Sequence, residues 1–558
     1  MKIKISLLIT LFIICGNINA QDWAKKAYQS VFTLKTFDDN GSLIGSSNGF
    51  FIGNQGEAVS GFSPFRSASR AVIIDSQGLE HEVKCILGAN SIYDVAKFRV
   101  DVSKSIPLTI STSTATDSSQ IFILPYSVKK VPTCIEGTIA SSQKVSGGYD
   151  YYTLSIIPTD NTENCPIINA SGCVIGLLQS SSVGETGTEY AISILYLNDL
   201  KITGLSISDK TLKETKIKKD LPEESDQAVL SLYMAPGVLD SLEYSTLIDD
   251  FILKFPGNTE GYIYRSQQSY QDNRFADVDK DMTTCIKMAS RKDEAHYNYA
   301  KFIYNKLVLK PEVSYPSWTF EKAIEEADAA CKINDNNIYM QTKAEILFSA
   351  ERFDESFSVY MGEIGKGFTT AEMYFGAARC KEMIGDTTAC IKYLNDAIAT
   401  FNKPYLKEAA PYLLARAQIL LNSGKYRMAV VDLNEYEKVM STQINDNFYY
   451  IRAQAEVEGH LYQQALNDLS TAITKSPHNT LYYSEKASLE IRVSMFDNAI
   501  KTAKECTEVD PELSDGYLFM GLAQCLKGDK EEGIKNLQKA KDLGDPQAND
   551  LIAKYGNE

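Results

Sequence analysis

The segment "YYTLSIIPTDNTENCPIINASGCVIGLL" (residues 151–178) has the pattern of β-strands joined by a polar loop and a tight turn. The same pattern runs through residues 24–205, where short apolar runs alternate with clusters of Gly, Ser, Asn and Asp. The predicted strands are Ser30–Phe37, Gly49–Ile52, Arg70–Asp75, Lys97–Val100, Gln120–Leu124, Thr138–Ser142, Tyr151–Ile157, Cys173–Leu178 and Tyr190–Ile194. Many short strands with no long helical pattern between them predict an all-β sandwich or barrel.

From about residue 259 the apolar period becomes helical, and a repeat of 34 residues appears. The positions that keep this spacing are Tyr449, Tyr483 and Tyr517; Ala453, Ala487 and Gly521; Ala465, Ala499 and Gly533; and Ala472, Cys506 and Ala540. Two antiparallel helices approach closely only where small residues lie at their crossing. The spacing therefore predicts about eight helical pairs between Thr259 and Gln547, followed by an end helix at Ala548–Tyr555. The longest insertion, residues 308–317, is expected between the two helices of one pair.

This repeat resembles the tetratricopeptide repeat. The resemblance implies an all-α solenoid over residues 259–558 whose concave face, lined by the first helix of each pair, binds a peptide or protein partner. The residues expected on that face are Gln341, Arg379, Asn422, Tyr450, Gln454, Glu458 and Arg492. The repeats lack the lysine and asparagine set that clamps a C-terminal carboxylate in some members of the family. The sequence does not identify the partner or the oligomeric state. An alternative is that the inner surface is solvated and has no dedicated ligand.

The β region resembles the trypsin-like fold, in particular its bacterial high-temperature-requirement branch. "GSSNGFFIGNQGEAVSGFS" (residues 45–63) resembles the strand and turn that lead into the histidine motif. "AVIIDSQGLEHEVKCILGANSIYDVAKFRV" (residues 71–100) resembles the hairpin that leads into Asp-x-Ala. Segment 151–178 then resembles the strand, nucleophile loop and closing hairpin, and "EYAISI" (residues 189–194) the final strand. The resemblance implies a double β-barrel over residues 21–205.

The resemblance also gives the positions of the catalytic triad, whose order in this fold is His, Asp, Ser. It places Ser63 at the histidine position, Asp94 at the carboxylate position and Glu163 at the nucleophile position. Asn161 replaces a glycine of the oxyanion hole. His81 is the β region's one histidine and is expected in a hairpin. Without a base and a nucleophile, proteolysis by the usual mechanism is not expected.

The first twenty residues have the pattern of a signal peptide, with a basic start, a short apolar run and a cleavage position after Ala20. The start after Ala20 resembles exported proteins of Bacteroidetes-type bacteria, which implies the periplasm or cell surface of a Gram-negative bacterium. Cys15 leaves a lipoprotein anchor open as an alternative. No later segment is apolar enough to span a membrane, and residues 206–258 are expected to form a charged linker with connecting helices.

Composition and motifs argue against several classes of partner and cofactor. The formal net charge of −16 argues against a nucleic-acid partner, because phosphate binding needs clustered cations. The cysteines have no zinc-ligand spacing, and nucleotide-binding, HExxH and EF-hand motifs do not occur, so we expect no cofactor and no metal. The leading hypothesis is an exported, non-catalytic adaptor that binds proteins through the repeats. The alternatives are a periplasmic serine-type hydrolase with a rearranged site and a purely structural β domain.

Overall fold

The computed structural model describes residues 23–127, 134–145, 147–157, 162–179 and 188–556. The chain divides into two compact units between Arg291 and Lys292. Strands come first and helices follow, which confirms the predicted all-β region and all-α region. The predicted signal peptide at residues 1–20, with Cys15, lies outside the described residues. Within the described residues, no helix combines the length and the apolar character needed to cross a membrane.

The first six strands form a closed antiparallel barrel. They are β1 (Val31–Phe37), β2 (Leu43–Phe51), β3 (Glu57–Ser60), β4 (Arg70–Ile74), β5 (Glu80–Asn90) and β6 (Val95–Val100). Their order around the barrel is β1-β2-β3-β6-β5-β4, and β4 pairs back onto β1. Alternate side chains of β1 point inward, so that Phe32 and Leu34 pack with Phe98 of β6 in the barrel core.

The next six strands form a second closed barrel. They are β7 (Gln120–Ile123), β8 (Ile135–Lys144), β9 (Asp150–Ser155), β10 (Pro166–Asn169), β11 (Val174–Gln179) and β12 (Thr188–Ser193). Their order is β10-β11-β12-β9-β8-β7. Segment 151–178 thus supplies most of β9, the following loop and the β10–β11 hairpin. Gly172 has a φ of 80° in that hairpin turn, which favours glycine.

The two barrels share an apolar interface within the first unit. Val31, Phe50 and Val59 of the first barrel are buried in one cluster that also contains residues of the second barrel. Ile168 and Leu177 are among these second-barrel residues. Burial of this shared cluster fixes the loops at the boundary between the barrels, where the triad positions lie.

The segment after the barrels packs onto the first barrel. Leu212 and Ile217 are buried in that barrel's core. The Ile86 amide donates to the Lys218 carbonyl at 2.8 Å, and the Asp220 amide donates to the Ile86 carbonyl at 2.9 Å. The segment predicted as a charged linker therefore contributes core residues and main-chain hydrogen bonds to the first unit.

The helices that follow the barrels in the first unit are α1 (Lys210–Lys213), α2 (Ser225–Met234), α3 (Ser241–Lys254), α4 (Thr259–Gln271) and α5 (Phe275–Met288). The helices of the second unit are α6 (Lys292–Leu309), α7 (Phe320–Ile333), α8 (Asn337–Ser349), α9 (Phe353–Gly365), α10 (Ala371–Met383), α11 (Thr387–Ala399), α12 (Ala410–Asn422), α13 (Tyr426–Met440), α14 (Asp446–Glu458), α15 (Tyr462–Lys475), α16 (Thr480–Arg492), α17 (Phe496–Val509), α18 (Ser514–Lys527), α19 (Lys530–Asp542) and α20 (Ala548–Gly556). Consecutive helices pack as pairs from α4/α5 and from α6/α7 through α18/α19. Most of insertion 308–317 lies between α6 and α7.

Small residues lie where the paired helices cross, as the repeat predicts. A Cβ on Gly521 of α18 would lie 2.7 Å from the Gly533 carbonyl oxygen of α19. Ala453 and Ala465, at the same positions of α14 and α15, are buried. Any larger side chain at these crossings would separate the two helices.

Three helical pairs also contain an arginine–aspartate bridge that the sequence analysis did not predict. In the second unit, Arg416 of α12 donates two hydrogen bonds to Asp432 of α13, at 2.8 and 2.6 Å. Arg452 of α14 donates to Asp468 of α15 at 2.6 and 2.9 Å. The first unit has the corresponding pair of Arg265 and Asp281, at 2.8 and 2.7 Å. In hindsight the sequence signal is an arginine directly before the small residue of the first helix and an aspartate 16 residues later.

Candidate functional site

The three triad positions lie close together at the boundary between the barrels. Ser63 follows β3, Asp94 lies between β5 and β6, and Glu163 lies in the loop before β10. One carboxylate oxygen of Asp94 accepts two hydrogen bonds from Ser63, at 2.6 Å from the amide nitrogen and at 2.7 Å from the hydroxyl. Ser63 therefore contacts Asp94 directly, with no imidazole between a hydroxyl and the carboxylate.

The turn before Asp94 sets the position of its carboxylate. The side-chain oxygen of Asn90, at the end of β5, accepts hydrogen bonds from the amides of Ile92 and Tyr93, each at 2.9 Å. Asp94 then has a φ of 48°, in the left-handed region that asparagine and aspartate tolerate better than most residues. This local geometry presents the carboxylate to Ser63.

The loop that contains Glu163 is fastened to the first barrel through its main chain. Asn48 of β2 donates to the Glu163 carbonyl oxygen from its side chain at 2.9 Å and from its amide at 3.3 Å. The buried Ser60 hydroxyl in turn donates to the Asn48 carbonyl at 2.6 Å. Partial burial raises the pKa of the Glu163 carboxyl, and the negative charge of Asp94 raises it further.

Asn164 fixes the next residue of the loop. It is buried, has a φ of 60°, and donates its amide to the Leu178 carbonyl at 3.0 Å. A Cβ on Gly61 would lie 2.6 Å from the side-chain amide of Asn164, so that a larger residue at position 61 would require this amide to move. Sequence reasoning missed Asn48, Gly61 and Asn164, because their contacts join segments far apart in the chain.

His81 belongs to the β4–β5 hairpin. Its Nε2 lies 3.0 Å from the Asp75 carboxylate, which also accepts from the amides of Gln77 and Leu79 at 2.9 Å. Burial raises the pKa of the Asp75 carboxyl, but the hydrogen bonds from the Leu79 amide, His81 and the Gln77 amide outweigh it, so the pKa is lowered. The only contact of His81 with a charged residue that the described part of the chain shows is the one with Asp75.

These contacts limit the chemistry of the site. Acyl transfer needs a base that takes the proton of a nucleophile, and the Ser63 hydroxyl instead donates to a carboxylate, which is a poor base for a hydroxyl. Asn161, at the oxyanion-hole position, lies outside the described residues. Among the residues described, no three His, Cys, Asp or Glu side chains are grouped so that they could hold a metal ion. The geometry supplies two neighbouring carboxyl groups, and hydrogen bonds from Asn48 and to Leu178 hold the described residues Glu163 and Asn164.

The predicted partner-binding residues lie on the first helices of five consecutive pairs, α8, α10, α12, α14 and α16. On α14, the Gln454 side chain donates to the Tyr450 hydroxyl at 2.8 Å, and Glu458 is exposed at the helix end. The Tyr450 ring lies 5.3 Å from that of Tyr482 on α16. The Arg492 guanidinium of α16 lies 5.2 Å from the centre of the Tyr462 ring.

The other three predicted residues have partners on their own or a neighbouring helix. Gln341 donates to Glu345 at 3.1 Å on α8, and Asn422 accepts from Gln418 at 3.0 Å on α12. The Arg379 guanidinium of α10 lies 4.2 Å from the centre of the Phe348 ring of α8. The structure therefore joins Tyr450 and Gln454 directly and spreads the remaining residues along several helices.

Comparison with curated proteins finds relatives that match part of the chain. Hsp70-Hsp90 organizing protein 3 of Arabidopsis thaliana is 22% identical over 241 residues, which cover 41% of this chain and 40% of the plant protein. Small glutamine-rich tetratricopeptide repeat-containing protein 2 of Saccharomyces cerevisiae is 29% identical over 91 residues, which cover 16% of this chain and 26% of the yeast protein. The chain thus spans well under half of the length of either relative. No family model matches the chain.

Among solved structures, the Rv3671c protease of M. tuberculosis in its active form is similar to this chain with a TM-score of 0.29 and 15% identity. That match covers 32% of this chain and 82% of the protease chain. The β region itself contains two closed six-stranded barrels, and the helical region consists of paired helices. The chain combines a trypsin-like double β-barrel with a C-terminal array of tetratricopeptide-type helical pairs.

Proposed function

We propose that this protein is an exported, non-catalytic adaptor that binds a peptide or protein partner through its helical array. The observation that carries the proposal is the direct hydrogen bond from Ser63 to Asp94, at the positions where an active enzyme of this fold has histidine and aspartate. A base is missing at this site, and Glu163 replaces the nucleophile. The double barrel then serves as a folded module that does not hydrolyse peptide bonds.

Exposed polar groups and the half-buried ring of Tyr450 on the first helices support partner binding. Tyr450 and Gln454 form a joined pair, and Arg379 and Arg492 each lie over an aromatic ring that limits their motion. Groups held in this way lose little conformational entropy when a partner binds. The plant relative is named as an organizing protein of Hsp70 and Hsp90, which also favours a protein as the partner.

The signal-peptide pattern of residues 1–20 supports export to the periplasm or cell surface, and Cys15 supports lipid anchoring as the alternative. The net charge of −16 favours a protein or peptide over a nucleic acid. This proposal is tested by crosslinking and capture from the native organism with wild-type protein, Tyr450→Ala and Arg492→Ala. Lys501→Ala, on the exposed surface of the second helix α17, is the matched control.

We expect one partner to be captured by wild type and by Lys501→Ala and to be lost in both Tyr450→Ala and Arg492→Ala. Retention of that partner in both test variants would show that the first helices are not the binding surface. Binding that also survives deletion of residues 21–205 would favour the structural role of the β domain.

A hydrolase with a rearranged site is the second candidate, favoured by the proximity of the Asp94 and Glu163 carboxyl groups. A carboxyl group whose pKa is raised, like that of Glu163, can act as a general acid beside a second carboxyl group. A fluorophosphonate probe distinguishes a serine nucleophile: labelling of folded wild-type protein supports the hydrolase, and absence of labelling counts against a serine-type enzyme.

A further inference from the structure

Four charged or acidic side chains meet where the helical pair α14/α15 packs against α13: three of them are buried, and the fourth, Glu437 of α13, is half-buried. Arg452 of α14 donates to both carboxylate oxygens of Asp468 on α15. Its remaining terminal nitrogen lies 2.6 Å from Glu437 and 2.9 Å from Asn434, both on α13. The Arg452 guanidinium therefore already contacts two carboxylates, those of Asp468 and Glu437.

Glu456 adds a third carboxyl group to this cluster. It lies one helical turn after Arg452 on α14 and is only 3% exposed. A side-chain hydrogen bond with Asp468 is among the causes that raise the pKa of Glu456, and Oε2 has no hydrogen-bond partner among the described residues. An ionised Glu456 would put three carboxylates around one cation, away from water, with one oxygen unsatisfied.

The corresponding residues of the two similar bridges are not acidic. Leu420 follows Arg416 by one turn on α12, and Ser269 follows Arg265 by one turn on α4. Leu420 and Ser269 are both buried. The arginine–aspartate bridge therefore forms without an acid at this position, so that Glu456 is not needed to build it.

We propose that Glu456 makes the helical pair α14/α15 a proton-sensitive element, which is tight when the Glu456 carboxyl is protonated and loosens when it is ionised. The protonated carboxyl donates to Asp468, so that Asp468 and Glu437 remain the two counterions of Arg452. Loss of the proton replaces this hydrogen bond by repulsion between the two acids. Because α14 contains Tyr450, Gln454 and Glu458, loosening would weaken partner binding, a consequence that rests on the proposed function.

The surrounding groups set the direction of the pH effect. Burial raises the pKa of Glu456 from 4.5 to about 8; Asp468 and Glu437 also raise it, while Arg452 lowers it. At pH values between 4.5 and about 8, the Glu456 carboxyl is protonated in the folded pair and ionised in the opened pair. The pair therefore loses stability as the pH rises from about 5 to about 8, with no further loss from this group above that range.

Hydrogen–deuterium exchange of the full chain tests this proposal without a partner. The rate of exchange of the α14/α15 amides in wild type is divided by the rate in Glu456→Gln at each pH, which cancels the intrinsic dependence of exchange on pH. We expect this ratio to rise by up to about tenfold per pH unit between pH 5 and pH 8. The same ratio of exchange rates for the α12/α13 amides should stay constant, because this pair has Leu420 at the position that Glu456 occupies in α14.

Glu490→Gln is the matched control. Glu490 lies at the equivalent position of α16 and is only 2% exposed, and Lys486 lies 3.9 Å from one of its oxygens. Burial raises the pKa of Glu490, while a hydrogen bond with Thr502 and the charge of Lys486 act to lower it. This variant should keep the wild-type pH dependence of α14/α15. A wild-type to Glu456→Gln ratio that is constant from pH 5 to pH 9 would overturn the proposal.

If Glu456→Gln does not fold, Glu456→Leu, which copies the residue of α12, takes its place under the same criterion. Capture of the partner at pH 5.5 and pH 8 then separates the two proposals. Amide exchange could follow the prediction while capture of the partner depends on neither pH nor Tyr450. That result would contradict the proposed binding surface on the first helices but would support the proton-sensitive pair.

Discussion

Replacing Gly533 by alanine tests whether close helix crossing holds the helical pairs together. The added Cβ would lie 2.4 Å from the Cys525 sulfur, 2.9 Å from the Cys525 amide nitrogen and 2.9 Å from the Gly521 carbonyl oxygen. Two of these atoms belong to the backbone of α18, so α18 and α19 must move apart. Overpacking costs about 1–3 kcal/mol, and these short contacts place the cost near the upper value. Alanine gains about 1 kcal/mol in helix propensity, so we expect a net loss of about 2 kcal/mol.

The matched control is Gly362→Ala, also inside a helix. A Cβ there has no atom within 4 Å, so only the gain in helix propensity remains. Exchange of α18/α19 amides should become about 30-fold faster in Gly533→Ala, and exchange of α9 amides should become about fivefold slower in Gly362→Ala. Slower exchange in both variants would refute the argument, because it would show that the space at Gly533 does not limit side-chain size.

Two further predictions concern the charged groups. Arg416→Leu leaves Asp432, which is 2% exposed, without its cation and should destabilise α12/α13 by about 3–5 kcal/mol, measured by amide exchange; unchanged protection would contradict a structural role of the bridge. Asp94→Ala removes the acceptor of both Ser63 hydrogen bonds and a negative charge beside Glu163. The pKa of Glu163 should therefore fall, measured by NMR titration of its side-chain carboxyl carbon; a pKa that stays or rises would contradict the proximity of the two acids.

The repeat could be read from the sequence because one physical requirement recurs at each crossing. Close helices need a small side chain, and this requirement leaves Ala453, Ala465, Gly521 and Gly533 in fixed register. The arginine–aspartate bridges were missed because they occur in only three of the pairs and a charged residue normally indicates a solvated surface. Only the fold shows that Arg452 is buried between two helices.

The β region shows where sequence patterns lose information. Three strands were not predicted: β3, which has only four residues, β5, which begins with the polar run Glu80-His81-Glu82, and β10, which has four residues directly after the polar loop. The resemblance named Ser63, Asp94 and Glu163, which the fold brings to one place. It could not name Asn48, which contacts the Glu163 carbonyl across 115 residues of chain.

The most direct test of the adaptor account is hydrolysis of an unstructured protein such as reduced, unfolded casein by the purified protein and by Asp94→Ala. The account predicts no cleavage above background by either protein, because the Ser63 hydroxyl donates to Asp94 where an active enzyme of this fold would have a histidine base. Cleavage by wild type that disappears in Asp94→Ala, with both proteins folded, would contradict the account and show that the boundary between the barrels is an active site.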